Sequence, residues 1–428
     1  MDIATLRSQI RALEAELIQL RHKLHLAEQA AKHSYQNPYP HPLPQSHYER
    51  YTRQLLVPSF GVSSQLALCQ SSILIIGLGG LGCPAAAYLA AAGVGRLGLL
   101  DGDIVELSNL HRQTLHSMES IGLNKARSAE INLRKLNPTV EYTVFEEFLT
   151  PQGAVGRVKG WDLVLDCTDT VGMRYLINDA CVVADKPLVS AAALRTEGSV
   201  VMLNSLRDGE RSPCYRCLYP TMPPRRAMQR CSEAGVLGPV VGVMGTMQAL
   251  EAIKVVTGRD TSSAGTMLLF SGYEAPQFRT VRVRKRKREC VVHGRAEVFA
   301  EENYVVPECE GVGTLREEDR ISAKELGEGV GRDPSGMVLV DIRPETEFDM
   351  CRIEGAVNIP WTGDERDWVR RLRGLGEDAS REWVVICKRG NDSQMAVSAG
   401  LDVGLRLKDV SGGLEAWRRE VDPTWPVY

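Results

Sequence analysis

One segment near the start of the chain restricts the fold more than any other. Residues 71–93 have the sequence SSILIIGLGGLGCPAAAYLAAAG, an apolar run followed by Gly77, Gly79 and Gly82 and then by an alanine-rich stretch. This order predicts a buried strand, a tight turn and a helix, and the glycines let the backbone approach a phosphate at the helix N-terminus. The next apolar run ends in Asp101, at the distance where an acidic residue binds a ribose hydroxyl. We therefore expect a Rossmann-like α/β nucleotide-binding domain.

Polar residues beyond that second run distinguish two kinds of nucleotide site. Asn109, Arg112 and Gln113 lie in VELSNLHRQT, and Lys125 begins a predicted helix. A dehydrogenase needs room for a nicotinamide ring, whereas a site that cleaves between phosphates needs cations and carboxylate-held Mg²⁺ around the developing charge. Asp169, after the apolar run LVLDCTD, is the expected Mg²⁺ ligand. A single Arg or Lys is more often a solvated surface charge, but the ordered set favours a polyphosphate site.

Length, charge and cysteine count limit the remaining possibilities. The 428 residues exceed what one hydrophobic core usually supports, so two or more domains are expected. A formal net charge of -3 gives no global attraction to nucleic acid or anionic membrane. No apolar run is expected to span a bilayer, and Asp2, Glu14 and Glu16 argue against a signal or transit peptide. Eleven cysteines, an odd number, fit reduced thiols in a cytoplasmic protein better than a disulfide framework.

The first 33 residues carry apolar side chains at alternating steps of three and four, which is the heptad period. This pattern predicts one long helix. Because it covers only about three heptads, both a self-associating coiled coil and a helix packed on its own domain are open. The following segment, QNPYPHPLPQSH, is too rich in proline to continue the helix and is predicted to be a linker.

Two short pairs of metal-binding residues lie far apart in the chain. Cys214 and Cys217 form PCYRC, and Cys290 and His293 form CVVH. Such pairs on separate loops are typical of a tetrahedral structural Zn²⁺ site with thiolate and imidazole ligands. The alternative is a set of unmetallated loop cysteines.

Cys231 lies in TMPPRRAMQRCSEAGVLG, a polar segment with two prolines and no apolar period. This composition predicts a mobile loop near the nucleotide pocket, where a thiol can approach an acyl adenylate. Arg225, Arg226 and Arg230 are expected to lower the pKa of the thiol by favouring the thiolate. A buried, inert cysteine is the alternative.

The composition changes after the basic run VRVRKRKR, which is expected to be a solvated edge strand. The segments MVLVDIRPETEF, GAVNIP and WVVICKRGNDSQMAV then predict the strands, turns and helix of a second, smaller α/β domain. We expect the domains at residues 47–298 and 318–428, joined by a linker at 299–317.

Cys387 follows an apolar strand and opens a loop that ends at a predicted helix start. Its sulfur is expected to face backbone amides and the positive end of the helix, which stabilise a thiolate or persulfide anion. Lys388 and Arg389 are expected to lower its pKa further. The carboxylate of Asp392 should disfavour thiosulfate and favour a protein-bound sulfur donor or acceptor. The predicted persulfide loop is Lys388, Arg389, Gly390, Asn391 and Asp392.

Motifs in the first domain resemble the E1-like adenylyltransferases of the MoeB/ThiF type. They are GLGGLG, LLDGDIVELSNLHRQT, LDCTD, PLVSAAALRTEG, PCYRC and CSEAGVLGPVVGVMGTMQALEAIK. The resemblance covers residues 47–295 and implies a homodimer in which Arg53 reaches the ATP site of the other copy. It also implies that ATP and Mg²⁺ contact Gly79, Asp101, Asn109, Arg112, Lys125 and Asp169. Thr170 departs from the family pattern, which usually has Asn there, and His293 stands where relatives commonly have Cys.

The second domain resembles rhodanese-like sulfurtransferases through DIRPETEF, GAVNIP and VSGGLEAW. The fusion resembles the eukaryotic adenylyltransferase and sulfurtransferase family, which activates ubiquitin-like carriers for tRNA wobble-uridine 2-thiolation and molybdopterin synthesis. This implies adenylation of a carrier ending in Gly-Gly, attack by Cys231 or by a Cys387 persulfide in either order, and release of a thiocarboxylate. The resemblance also implies a persulfide donor such as a cysteine desulfurase or another sulfurtransferase. Two alternatives stay open, an NAD-dependent oxidoreductase fused to a rhodanese module and a pseudoenzyme scaffold.

Overall fold

The computed structural model describes residues 41–207, 210–223, 235–259, 265–293, 304, 315–332, 337–376 and 382–428. The chain divides into two compact units, Met1–Val306 and Pro307–Tyr428. The predicted N-terminal helix of residues 1–33 and the Cys231 segment with its three arginines lie outside the described residues. Each unit is described by itself.

A large mixed sheet forms the centre of the first unit. Its strands are β1 (Ser72–Ile76), β2 (Arg96–Leu100), β3 (Glu141–Phe145), β4 (Leu163–Asp166), β5 (Leu188–Leu194), β6 (Glu197–Leu203), β9 (Thr266–Ser271) and β10 (Phe278–Arg282). They pair in the order β10-β9-β6-β5-β4-β1-β2-β3. A separate antiparallel pair consists of β7 (Leu206–Arg207) and β8 (Glu210–Arg211).

Helices cover this sheet and connect its strands. The described helices of the first unit are α1 (Gln45–Leu55), α2 (Gly61–Gln70), α3 (Gly82–Ala92), α4 (Lys125–Leu136), α5 (Pro151–Lys159), α6 (Val171–Val183), α7 (Tyr215–Leu218) and α8 (Gly238–Val256). Short 3₁₀ turns lie at Leu107–Asn109 and Met118–Ser120. The alternation of strands and helices is that of a doubly wound α/β fold.

The parallel half of the sheet positions the predicted nucleotide residues. Strands β1 to β5 pair in parallel, whereas β5, β6, β9 and β10 pair antiparallel. The apolar runs of β1, β2 and β4 are buried along nearly their whole length, because helices cover both faces. The order of strands reverses between β1 and β4, and ligands bind at the carboxyl ends of strands beside such a reversal. The Rossmann-like fold is confirmed.

Helix α8 is the one helix of the described residues that is long and apolar enough to cross a membrane, with a mean hydropathy of 1.3. The expectation that no apolar run reaches this length is therefore wrong. In the fold, α8 packs against α3, β5 and β6, and Val241, Met244 and Ala249 are buried in the core. Its apolar composition is that of a helix inside an α/β unit.

Tyr304 falls in the segment for which the sequence predicts a linker, but it is buried in the first unit. Its hydroxyl donates a hydrogen bond to Oδ2 of Asp179 at 3.0 Å. The same carboxylate accepts hydrogen bonds from Nε and Nη2 of Arg216, at 2.9 and 2.7 Å. The ring belongs to the hydrophobic cluster that contains Tyr175 and Leu176. The first unit therefore extends beyond residue 298, where the sequence places its end.

The second unit contains a five-stranded parallel sheet in the order β11-β15-β14-β12-β13. The strands are β11 (Arg320–Ile321), β12 (Met337–Asp341), β13 (Val357–Asn358), β14 (Glu382–Ile386) and β15 (Leu407–Val410). The described helices are α9 (Ala323–Arg332), α10 (Glu345–Met350), α11 (Glu365–Arg373), α12 (Asp392–Leu401) and α13 (Gly413–Glu420), with a 3₁₀ turn at Glu317–Asp319.

Two hydrophobic clusters lie on the two faces of this smaller sheet. Val384 and Ile386 belong to one cluster and Val385 belongs to the other, as the alternation of side chains along a strand requires. Burial on both faces explains why the sequence of β14 is a continuous apolar run. The predicted small α/β domain is confirmed.

The contacts of Tyr304 generate a stability prediction. Tyr304→Ala should lower the free energy of unfolding of the first unit by about 3 kcal/mol, because the substitution removes a buried ring and its bond to Asp179. The control Tyr273→Ala changes a side chain that is 79% exposed and should cost less than about 0.5 kcal/mol. Chemical denaturation of the full chain measures both values. Equal losses in the two variants would contradict the assignment of Tyr304 to the core.

Candidate functional site

A pocket of about 510 Å³ opens at the carboxyl ends of β1, β2 and β4. Arg53 is exposed on α1 and is not among the described residues that line it. The structure brings seven sequence-predicted residues together in this lining, namely Gly79, Asp101, Asn109, Arg112, Gln113, Lys125 and Asp169.

The turn after β1 is closed by contacts that only glycine allows. Gly77 has a φ of 94°, and a Cβ on Gly82 would lie 1.9 Å from the carbonyl oxygen of Gly77. Asp101 then fixes the turn, because its Oδ2 accepts a hydrogen bond from the N–H of Leu78 at 2.7 Å. Its Oδ1 accepts another from the N–H of Asp103 at 2.8 Å. Burial raises the pKa of Asp101, and these two hydrogen bonds oppose that effect.

Lys125 is placed at the start of α4 by the side chain of Asn124, whose Oδ1 accepts hydrogen bonds from the N–H groups of Ala126 and Arg127. Its Nζ lies 2.9 Å from Oδ2 of Asp103. The sequence analysis missed Asp103, although the signal was a second acidic residue in LLDGD. The Lys125 side chain is only 10% exposed, so this ion pair holds the ammonium group in the wall of the pocket.

The 3₁₀ turn after β2 and the residues that directly follow it carry the other predicted polar side chains. Nη1 of Arg112 donates to the carbonyl oxygen of Ser108 at 2.9 Å. The side chain of Asn109 accepts from the N–H of Glu106 at 3.2 Å. Gln113 is buried, and within the described residues its Oε1 has no hydrogen-bond partner. A donor group of a bound ligand would satisfy this oxygen.

The loop after β4 presents Asp169 at the exposed side of the pocket. The buried carboxylate of Asp166 holds this loop by accepting hydrogen bonds from Thr168 Oγ1 and Ser190 Oγ, both at 2.7 Å. Arg174 also lines the pocket, and its Nη2 donates to the carbonyl oxygen of Thr168 at 3.0 Å. The sequence analysis missed Arg174, because a single arginine inside a helix carries no local signal.

The four predicted metal ligands meet in one cluster. Their ligand atoms all lie within 4.8 Å of one another. Sγ of Cys214 is 3.6 Å from the sulfurs of both Cys217 and Cys290, and Sγ of Cys217 is 3.9 Å from Nε2 of His293. Sulfur ligands in a tetrahedral zinc centre lie about 3.7 Å apart. The residues therefore fit Zn²⁺ in number, chemistry and spacing.

Hydrogen bonds with the backbone of Lys287 orient two of the ligand side chains in the cluster. Nδ1 of His293 lies 3.1 Å from the carbonyl oxygen of Lys287, which leaves Nε2 to face the sulfurs. The N–H of Lys287 donates to Sγ of Cys217 at 3.3 Å. A thiol–thiol hydrogen bond with Cys214 lowers the pKa of Cys217 and raises the pKa of Cys214.

Cys387 lies at the end of β14 with its sulfur turned into the loop that leads to α12. Sγ accepts a hydrogen bond from the N–H of Gly390 at 3.0 Å and lies 3.1 Å from Oγ of Ser393. Burial raises the pKa of the thiol, the bonds from Ser393 lower it, and the charge of Asp392 raises it. The expectation of a lowered pKa is wrong, because the side chain is only 3% exposed. Backbone groups of Gly390, Ser393 and Arg389 bond to the sulfur.

The two cationic neighbours of Cys387 are engaged elsewhere. Nζ of Lys388 donates to the main-chain oxygen of Tyr428 at 2.6 Å and lies 4.2 Å from the centroid of its ring. Nε of Arg389 lies 2.9 Å from Oε1 of Glu415. The sequence analysis missed Tyr428, since no sequence pattern links it to a loop 40 residues earlier.

Comparisons with known proteins agree with both halves of this description. The ThiF family profile matches residues 51–292, and the rhodanese-like domain profile matches residues 322–420. The adenylyltransferase and sulfurtransferase uba4 of Aspergillus fumigatus is 42% identical over an alignment of 487 positions, gaps included, that covers 99% of this chain and 98% of that protein. The adenylyltransferase and sulfurtransferase MOCS3 of Danio rerio is 42% identical over 404 residues, covering 89% and 87%.

A solved structure shares the fold of the first unit. The crystal structure of E. coli MccB superposes with a TM-score of 0.51 at 22% identity, covering 59% of this chain and 75% of that one. Nothing in these comparisons supports an NAD-dependent oxidoreductase.

The contact between Ser393 and Cys387 predicts a change in thiol reactivity. Ser393→Ala removes a hydrogen bond that lowers the pKa of the thiol, so less thiolate is present and alkylation of Cys387 by iodoacetamide at neutral pH should slow roughly threefold to tenfold. Peptide mass spectrometry on the full chain measures the rate. Ser398→Ala, on the same helix, is the matched control and should leave it unchanged. A faster reaction in Ser393→Ala would show that the hydroxyl does not stabilise the sulfur anion.

Proposed function

This chain belongs to the ThiF family and carries a rhodanese-like sulfurtransferase domain, and we propose that it converts the C-terminal glycine of a ubiquitin-like carrier into a thiocarboxylate. It is an ATP-using adenylyltransferase joined to a sulfurtransferase. The observation that carries the proposal is the presence of both required centres in one chain, the polyphosphate pocket beside β1 and the amide-lined sulfur of Cys387.

The first step is adenylation. The carrier carboxylate attacks the α-phosphorus of ATP, pyrophosphate leaves, and the product is an acyl adenylate with AMP as a good leaving group. Arg112 and Lys125 lie where they would stabilise charge on the phosphates. Asp169 would hold Mg²⁺, which supplies charge neutralisation at the transferring phosphate. We assign Arg53, exposed on α1, to the pocket of a second copy in a homodimer.

The second step transfers sulfur. A donor protein, such as a cysteine desulfurase or another sulfurtransferase, leaves a persulfide on Cys387. The terminal sulfur of that persulfide attacks the activated carbonyl, either of the acyl adenylate or of a thioester with Cys231, and AMP or the Cys231 thiolate departs. A thiol, for which Cys231 is the candidate in this chain, then cleaves the S–S bond. The products are the thiocarboxylated carrier and a disulfide on Cys387.

The environment of Cys387 supports a protein-bound sulfur donor. The thiol is 3% exposed, and the neighbouring carboxylate of Asp392 repels small anions such as thiosulfate. Because the odd number of cysteines fits reduced thiols, we place the reaction in the cytoplasm. We assign its product to tRNA wobble-uridine 2-thiolation and molybdopterin synthesis.

The proposed cysteine roles can be separated by measuring the two steps independently. With a carrier ending in Gly-Gly, Cys231→Ser and Cys387→Ser should both retain carrier-dependent ATP–pyrophosphate exchange, because neither thiol is needed for adenylation. Both should yield less than about a tenth of the thiocarboxylate, since a covalent step lacks its nucleophile. Mass spectrometry detects the replacement of carrier oxygen by sulfur.

Cys69→Ser, a half-buried cysteine outside both centres, is the control and should retain both activities. An absence of carrier-dependent exchange in the unmodified chain would refute the adenylation step. Full thiocarboxylate formation by Cys231→Ser would remove that residue from the mechanism.

We assign Zn²⁺ to the four-residue cluster, where it would tie the α7 loop to the Cys290 segment. Metal analysis of the purified full chain should give about one zinc per chain, the stoichiometry of a closed four-ligand site. Cys290→Ser should lose most of this zinc and lower the melting temperature, because a structural metal contributes directly to folding. Cys351→Ser, in the second unit, should keep the metal. A metal-free but fully stable chain would show that these are ordinary loop cysteines.

A further inference from the structure

Two cations from different parts of the second unit meet at Tyr428. Lys388, next to Cys387, donates to its main-chain oxygen at 2.6 Å and lies 4.2 Å from its ring centroid. Arg343, from the turn after β12, donates to its hydroxyl. Arg343 is itself held by Asp341, whose Oδ1 and Oδ2 both accept from its Nε at 3.0 Å. Arg343 therefore fixes the hydroxyl of Tyr428, while the ring and main-chain oxygen of Tyr428 hold Lys388.

The sulfur of Cys387 has a complete set of contacts without Lys388. Its nearest partners are the N–H of Gly390 and Oγ of Ser393. Asp392, on the same loop, adds a negative charge that raises the pKa of the thiol. Burial and this charge raise the pKa of the thiol, so both favour the neutral form in the resting chain.

The other charged groups around the loop are paired within the fold. Arg389 pairs with Glu415 on α13 at 2.9 Å. On β15, the buried Asp409 pairs with Arg320 at 2.9 Å and bonds to Ser393. These carboxylates belong to a helix and a strand, whereas Tyr428 lies in a segment outside helices and strands. Tyr428 is therefore the partner that can move without breaking a helix or a strand.

Open space adjoins this contact. A pocket of about 540 Å³ is lined by Lys388 on one side and by residues Trp425, Pro426, Val427 and Tyr428 on another. Val427 is 73% exposed. The Tyr428 ring thus has room to leave Lys388 without disturbing the sheet.

We propose that Tyr428 is a positioning residue of the sulfurtransferase site: it holds the Lys388 ammonium group off the Cys387 sulfur and releases it when residues 426–428 move. Once released, Lys388 stabilises the sulfur anion that the resting site disfavours. This inference rests on the proposed function for the role of Cys387 as the sulfur carrier.

The rate of Cys387 alkylation by iodoacetamide, followed by peptide mass spectrometry on the full chain from acidic to alkaline pH, tests the proposal. Tyr428→Ala keeps the main-chain oxygen but removes the ring that lies over Lys388 and the hydroxyl that Arg343 holds, so residues 426–428 lose their anchor. The rate at neutral pH should then rise roughly tenfold, with the gain disappearing above the pKa of the thiol. Tyr428→Phe keeps the ring over Lys388 and should stay within roughly twofold of the unmodified chain. Adding Lys388→Met to Tyr428→Ala should abolish the gain.

Three results would overturn the proposal. The first is an unchanged rate in a folded Tyr428→Ala variant. The second is a gain that persists after Lys388→Met or is equal at every pH, because that would indicate a loosened loop. The third is a roughly tenfold slower reaction in Lys388→Met alone, because Lys388 would then already act on the sulfur in the resting chain.

The Lys388→Met and Tyr428→Phe variants decide the matter even if Tyr428→Ala does not fold. A rate within roughly twofold of the unmodified chain in Lys388→Met supports the proposal, because the resting thiol does not depend on its charge. The alkylation measurement needs neither ATP nor carrier. A failure of thiocarboxylate formation would therefore count against the proposed function and leave this result standing.

Discussion

The close approach of α3 to the turn after β1 is the constraint on which the first unit depends. Any Cβ on Gly82 would meet the carbonyl oxygen of Gly77 at 1.9 Å, so the helix begins where only a glycine backbone fits. The carboxylate of Asp101 completes this arrangement by bonding to the N–H of Leu78. Strand, turn and helix are thus packed tightly together, and this packing fixes the backbone at the end of the sheet where the pocket lies.

The second unit has a similar arrangement of strand, glycine turn and helix, which surrounds the sulfur of Cys387. Cys387 ends a buried parallel strand, Gly390 turns the backbone with a φ of 78°, and a helix begins two residues later. A Cβ on Gly413 would lie 2.3 Å from the carbonyl oxygen of Cys387, so this turn is also closed by backbone contact. In the first unit the turn faces a pocket lined by cations. In the second it encloses one sulfur atom, and burial replaces charge as the dominant influence on the thiol pKa.

The parts of the sites that depend on local motifs could be predicted from the sequence. The nucleotide pocket depends on residues that follow strands in short motifs, and the end of each parallel strand lies at one edge of the sheet, so Asp101 and Asp169 could be placed together. The Cys/His cluster was predictable because ligand spacing is a local pattern. The partner of Lys125 was not, because an ion pair such as that with Asp103 depends on side-chain directions that a motif does not specify.

Long-range contacts account for the remaining errors. Lys388 and Arg389 stand beside Cys387 in the sequence, yet their charges go to Tyr428 and Glu415, which reach the loop only through the fold. Proximity along the chain therefore predicted the wrong sign for the pKa of the thiol. A buried thiol with a raised pKa reacts slowly with small oxidants and anions, because the thiolate is the reactive form. In the proposed function, the backbone amides matter most once a donor has left a persulfide on Cys387, because they would then stabilise a negative charge at a buried sulfur.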